Sequence, residues 1–61
     1  MRYMKLETHE KYTRVFAQHD GAWIEVEDFT GPQHPMDAQK FAENLDEDAT
    51  SRQAYIDMAL D

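Results

Sequence analysis

The stretch from Tyr12 to Phe29 contains an Asp20-Gly21 pair between two segments in which apolar and polar residues alternate. Asp-Gly is a preferred pair for a two-residue type I′ turn, which requires positive φ at both positions. A turn at this point predicts a β-hairpin and fixes its register. One face of that hairpin pairs Ala17 with Ile24, Val15 with Val26 and Thr13 with Asp28. The other face pairs Gln18 with Trp23, Phe16 with Glu25, Arg14 with Glu27 and Tyr12 with Phe29.

The preceding residues 3–9 repeat the alternation and predict a third strand. A turn around Glu10-Lys11 places Arg14 between Glu7 and Glu27, and opposite charges across a sheet stabilise it. The same turn pairs Leu6 with Val15 and Met4 with Ala17. The resulting meander has one aliphatic face, formed by Met4, Leu6, Val15, Ala17, Ile24 and Val26.

The residues that follow the hairpin change both composition and period. Residues 30–35 contain Gly31 and two prolines, which end the sheet. Pro35 suits the first turn of a helix, and Asp37 suits the positive end of its dipole. A helical stripe then follows, consisting of Ala38, Phe41, Ala42, Leu45, Ala49, Ile56, Ala59 and Leu60.

This stripe narrowly favours one long helix over two short ones. Against a single helix, Asp48, Thr50 or Ser51 could cap a second one. Either way, the sequence predicts an α+β fold in one domain, 1–61. It consists of a three-stranded antiparallel sheet (3–29), a linker (30–35) and a helical part (36–60) packed on the aliphatic face.

The opposite sheet face combines aromatic and charged residues. Arginine and aromatic side chains with a charged rim are typical of recognition surfaces. The alternative is cross-strand packing on a wet face, with each pair contributing about 0.2–1 kcal/mol. We interpret this face as a protein-binding surface. Its candidate residues are Tyr12, Arg14, Phe16, Trp23 and Phe29.

The small size of the chain favours self-association. A domain of 61 residues buries only about 60% of its unfolded surface, and the absence of cysteine excludes disulfides and thiolate metal sites. A single helix of about 25 residues would also overhang a strand of about seven. We therefore expect a homodimer, with candidate contacts at the helix end: Tyr55, Ile56, Met58 and Leu60.

The net charge of −7 disfavours direct binding to nucleic acid, which needs a basic footprint. It favours a protein partner with a basic surface. The candidate residues for such a contact form an acidic helix face: Glu43, Asp46, Glu47 and Asp48. The alternative is that these charges only keep a small domain in solution.

Catalytic and metal-binding patterns are not found. The three histidines, His9, His19 and His34, lack zinc-motif spacing, and we expect them to lie exposed in turns. The lone serine, Ser51, has no neighbouring histidine, and there is no glycine-rich phosphate loop. We therefore expect no enzyme activity, cofactor or metal. Without a membrane-spanning run or signal-peptide core, we expect a cytoplasmic protein that does not contact membranes.

The order of a hairpin ending in "IEVEDF", a proline-containing link and "PMDAQKFAENLDEDA" resembles small acidic proteins of actinobacteria and their phages. The similarity covers Trp23 to Ala49. In size and acidity the chain is also similar to phage-encoded inhibitors such as anti-CRISPR proteins. This resemblance implies an inhibitor of a host or defence protein, and it assigns no role to any individual residue.

Two functions thus remain open at this point. The first is a non-catalytic protein–protein interaction factor that acts through the aromatic sheet face or the acidic helix face. The second is a self-associating homodimer or small subunit with no inhibitory role.

Overall fold

The computed structural model, which describes residues 1–61, contains three strands followed by two helices. The strands are β1 (Met4–Thr8), β2 (Tyr12–His19) and β3 (Ala22–Thr30), and they form an antiparallel sheet in the order β1-β2-β3. The helices are α1 (His34–Glu47) and α2 (Ala49–Leu60), and both pack on one face of the sheet. The expected α+β architecture is confirmed.

The hairpin turn has the geometry that its sequence predicts. Asp20 has φ 49° and Gly21 has φ 79°, so both central residues have the positive φ of a type I′ turn. Beside the turn, Ala17 pairs with Ile24, Gln18 with Trp23 and Phe16 with Glu25, as predicted. The β1–β2 register is also confirmed, with Met4 opposite Ala17, Leu6 opposite Val15 and Glu7 opposite Arg14.

A β-bulge at Val26 changes the register in the second half of the hairpin. Phe16 pairs with Glu25 but Val15 pairs with Glu27, so Val26 is an extra residue in β3. Beyond it, the predicted pairings of Val15 with Val26, Thr13 with Asp28, Arg14 with Glu27 and Tyr12 with Phe29 are wrong. The structure instead pairs Thr13 with Phe29, Arg14 with Asp28 and Tyr12 with Thr30.

Phe29 is the aromatic residue whose position the bulge changes. We expected it on the outer, aromatic face, but the one-residue shift turns it towards the helices. There it packs against the core, with its ring centroid 5.3 Å from that of Phe41. The ring of Phe41 in turn meets Tyr55 edge-on at 5.1 Å. Phe29 therefore belongs to the interior and not to the candidate binding face.

The helical part is divided at Asp48, so the preference for one long helix was wrong and the alternative with a cap at Asp48 was right. Asp48 has φ −116° and ψ 90°, and its carboxylate accepts hydrogen bonds from the Ser51 N–H (3.1 Å) and hydroxyl (2.8 Å). Arg52 donates to the carbonyl oxygens of Leu45 and Asp46 at 2.9 and 3.0 Å. These bonds satisfy the exposed termini of both helices at the break.

The break folds α2 back over the sheet, so the predicted overhang does not arise. Ile56 is only 2% exposed and lies in the same core as Val15, Ala17 and Leu45. We had named it as a contact between two copies, but its side chain is buried within its own chain. The linker also shortens, since β3 continues to Thr30 and α1 already begins at His34. Neither helix is long and apolar enough to cross a membrane.

Two substitutions on β3 test the bulge. Replacing Phe29 with alanine should lower the free energy of unfolding by about 2 kcal/mol or more, since it removes a ring packed on the core. Trp23→Ala, on the other side of the same strand, should cost less than Phe29→Ala, since 41% of Trp23 is exposed to solvent and its ring lies outside the core. Urea unfolding followed by far-UV circular dichroism measures both. Equal losses, or a larger loss at Trp23, would contradict the register.

Candidate functional site

The sheet face that the helices leave uncovered is the candidate site, and we call it the outer sheet face. Its side chains alternate along each strand with core residues such as Met4, Val15 and Ala17. It retains four of the five predicted aromatic and arginine residues and loses Phe29. Its charged and aromatic members are Lys5, Glu7, Tyr12, Arg14, Phe16, Trp23, Glu25 and Asp28, and Gln18 and Thr30 lie on the same face.

One end of the outer sheet face is apolar. Phe16 and Trp23 lie on neighbouring strands, and the ammonium group of Lys5 is 5.0 Å from the Phe16 ring centroid and 5.3 Å from that of Trp23. Such distances are within the range of cation–π attraction. Trp23 nevertheless remains 41% exposed. This end therefore offers a large aromatic surface whose rings are held in place by a neighbouring cation.

The other end is charged and centres on Arg14. Its Nε lies 3.6 Å from both the Glu25 Oε1 and the Asp28 Oδ1, and its guanidinium carbon lies 4.9 Å from the Tyr12 ring centroid. The Arg14 Nε is buried and makes no hydrogen bond. We expected Glu27 as the β3 partner of Arg14, but the bulge substitutes Asp28. Two carboxylates thus face one guanidinium at distances too long for hydrogen bonds.

Glu7 lies on β1 at the charged end of the outer sheet face. Its carboxylate accepts a 2.7 Å hydrogen bond from the His9 Nε2, and this bond holds the pKa of Glu7 below its ordinary value. The His9 ring stacks on Tyr12 with centroids 4.5 Å apart. Glu7 lies opposite Arg14 in the ladder, as predicted, but its hydrogen bond is made to His9.

The four residues of the predicted acidic helix face do not form one site. Asp46 accepts hydrogen bonds from the backbone N–H groups of Tyr3 (2.7 Å) and Arg2 (3.0 Å), while Asp48 caps α2. The N–H groups of Tyr3 and Ser51, respectively, are the main reason that the pKa values of Asp46 and Asp48 lie below the ordinary value. Only Glu43 and Glu47 are exposed without a hydrogen-bond partner in the chain.

The predicted contacts at the end of α2 are also divided. Tyr55 is half-buried against Phe41, and Ile56 is in the core. Met58 and Leu60 remain exposed, at 64% and 54%. The structure therefore leaves only these two side chains of the set available to a second molecule.

His34 is the polar residue whose role we did not predict. We expected it to be exposed, but it is 6% exposed at the start of α1. Its Nε2 donates to the Glu10 carbonyl oxygen at 3.1 Å, and its Nδ1 accepts from the Thr13 hydroxyl at 2.7 Å. It thereby ties α1 to the β1–β2 turn and to β2. The only indication in the sequence was a threonine, Thr13, on the aliphatic face of its strand.

The side chains form no group suited to a metal ion, and the larger of two surface depressions is polar. No group of three or more His, Asp or Glu side chains is placed to hold a metal ion. A depression of about 350 Å³ beside His34 is lined by Glu10, Lys11, Gly31 and Pro32, without a hydrophobic residue. Ligand pockets are typically apolar with a few polar groups, so this depression does not fit that pattern.

Comparison with known proteins adds no functional information, because no family model, curated protein or solved structure matches the chain.

The lowered pKa values of Glu7, Asp46 and Asp48 predict a loss of stability in acid. In the folded protein these carboxylates bind protons less readily than in the unfolded chain. Their contribution is therefore complete above about pH 5 and lost as the pH falls through the folded values. Asp46→Ala should lower the melting temperature at pH 7 and make its decline between about pH 4 and pH 2 shallower.

Thermal unfolding between about pH 2 and pH 7 measures this effect. Glu47→Ala is the matched control, because it removes a neighbouring carboxylate that has no partner. If the melting temperature of Asp46→Ala declines in acid as steeply as that of the unmodified protein, the contact between Asp46 and the N-terminal backbone does not have this stabilising role.

Proposed function

We propose that the protein is a non-catalytic protein-binding module that acts in the cytoplasm and engages its partner through the outer sheet face. The observation that carries the proposal is the division of that face into a charged end and an aromatic end at which Trp23 is exposed and Phe16 half-buried. Phe16 and Trp23 form the aromatic end, and Arg14 with Glu25 and Asp28 forms the charged end. Aromatic and arginine residues of this kind contribute most of the binding energy at many protein interfaces.

The fixed positions of the side chains on the outer sheet face support this proposal. Lys5 and Arg14 stack on aromatic rings, so these side chains are already held in defined positions before a partner arrives. Side chains that are held in this way lose less conformational entropy on binding. The acidic helix face is a weaker candidate, because Asp46 and Asp48 are engaged in bonds within the chain. An inhibitory role in phage biology stays a prediction from the resemblance alone.

The test is capture of partners by the tagged protein from its native host. The tag belongs at the C-terminus, since the backbone N–H groups of Arg2 and Tyr3 bind Asp46. Phe16→Ala/Trp23→Ala should lose a partner that the unmodified protein retains. With the purified partner, the same variant should bind at least about thirtyfold more weakly, which corresponds to about 2 kcal/mol.

Met36→Ala is the control, because it removes an exposed apolar side chain from α1, away from the outer sheet face. Circular dichroism checks that both variants fold. If the partner binds the Phe16/Trp23 variant and the control equally well, the outer sheet face is not the binding surface.

A second candidate function is self-association, which the exposure of Met58 and Leu60 favours. The overhang that supported a dimer does not exist, so we expect sedimentation at micromolar concentration to give the monomer mass of 7.2 kDa. A species of twice that mass would support the second candidate. Its loss in Met58→Ser/Leu60→Ser would place the contact at the end of α2.

A further inference from the structure

We propose that the outer sheet face binds a short extended segment of a partner protein that has apolar side chains at one end and basic side chains at the other. The apolar side chains contact Phe16 and Trp23, and the basic side chains bind Glu25 and Asp28. This inference rests on the proposed function and adds the chemistry and the conformation of the partner.

The basic end of the segment follows from two exposed carboxylates whose only partner in the chain is Arg14, at long distance. Glu25 and Asp28 have about half of their side-chain surface exposed, and each lies 3.6 Å from the Arg14 Nε without a hydrogen bond to it. Neither carboxylate makes another hydrogen bond in the chain, so their oxygens remain available. An arginine or lysine of a partner can bind them at shorter distances, as charge-assisted hydrogen bonds.

The electrostatic balance of the face disfavours a second copy in this position. Lys5 and Arg14 are set against Glu7, Glu25 and Asp28, and the whole chain carries −7. Two such faces packed on each other would bring together six carboxylates and four cations, and would remove all of them from water. A basic segment instead neutralises the excess, and attraction between opposite charges accelerates the encounter.

The dimensions of the face suit an extended segment. The face is three strands wide, about 14 Å at about 4.8 Å per strand, and its longest strand has nine residues. Trp23 and Asp28 lie five residues apart on β3, which is at most about 16 Å. An extended chain of about seven residues, roughly 20 Å between its first and last Cα atoms, covers that distance.

The segment lies across the face and does not extend the sheet. The free edge of β3 contains the Val26 bulge, and the Asp28 N–H is already bonded to the Glu27 carboxylate at 3.1 Å. Both features prevent a regular ladder along this edge. The other free edge, β1, is only five residues long, and short edge strands are poor templates for a further strand. We therefore place the contacts of the segment in side chains. In an extended segment every second residue faces the protein, so the facing positions read apolar, apolar, basic, basic.

The probe is a blocked peptide of about seven residues, Leu-Ser-Leu-Ser-Arg-Ser-Arg, designed with that spacing. Trp23 is the only tryptophan and lies on the face, so its fluorescence reports binding directly. We expect saturable binding with a blue shift of the Trp23 emission, and an affinity that falls with added salt. Glu25→Gln/Asp28→Asn should weaken binding about threefold to tenfold. Glu43→Gln/Glu47→Gln, which removes the same charge from α1, should not.

Two further peptides keep the test independent of any variant's folding. Replacing both leucines with serine should abolish the blue shift, and replacing both arginines with glutamate should abolish binding. The proposal is overturned if the probe does not bind, if the glutamate peptide binds equally well, or if both carboxylate variants weaken binding to the same extent. The two proposals can fail separately. If the probe peptide does not bind, but Phe16→Ala/Trp23→Ala still loses a captured partner, this inference is overturned and the proposed function stays in place.

Discussion

The extra residue at Val26 determines which aromatic rings stabilise the fold and which face the solvent. Before the bulge, β3 directs Trp23 and Glu25 outward; after it, Phe29 turns inward to Phe41. In an uninterrupted strand Phe29 would join the outer side and leave Phe41 and Tyr55 without a third ring. A chain of this size has few large side chains with which to build a core, so the inward position of Phe29 adds to its stability. The same shift brings Asp28, in place of Glu27, to Arg14.

The turn, the strands and most of the sheet face that packs on the helices could be predicted, because each depends on local sequence. The helical stripe was predicted only in part: Ala38, Ala42, Leu45 and Ile56 are buried, but Ala49, Ala59 and Leu60 are exposed. Asp20-Gly21 specifies positive φ, and the alternation before Gly21 specifies which side is buried. The bulge has no comparable signal. In the sequence, Val26 and Glu27 continue the alternation of apolar and polar residues. Only the packing of Phe29 against α1 and α2 makes the shifted register favourable. Phe29 was therefore assigned to the wrong face.

The helix break and His34 show two other limits of sequence reasoning. Asp48 was recognised as a possible cap, which predicts two helices. The apolar stripe continues past Asp48 with the same helical period, which predicts one helix, so the two signals conflict. Arg52 decides between them, because it can bond the last carbonyl groups of α1 only if the chain turns at Asp48. For His34, the partners are a threonine and a carbonyl oxygen from distant parts of the chain. No local pattern could identify that contact, whereas Tyr12, Arg14, Phe16 and Trp23 were placed correctly by alternation alone.

The protected edge of β3 has a consequence for the protein at high concentration. A nine-residue outer strand with exposed backbone groups is the kind of template on which identical chains assemble into fibres. The bulge bends this strand, and Glu27 occupies an N–H group beside it. Two strands of this kind brought side by side would also place Glu25, Glu27 and Asp28 of each chain close together, and their charges repel. The bulge and these carboxylates therefore protect the β3 edge from pairing with a second copy of the chain.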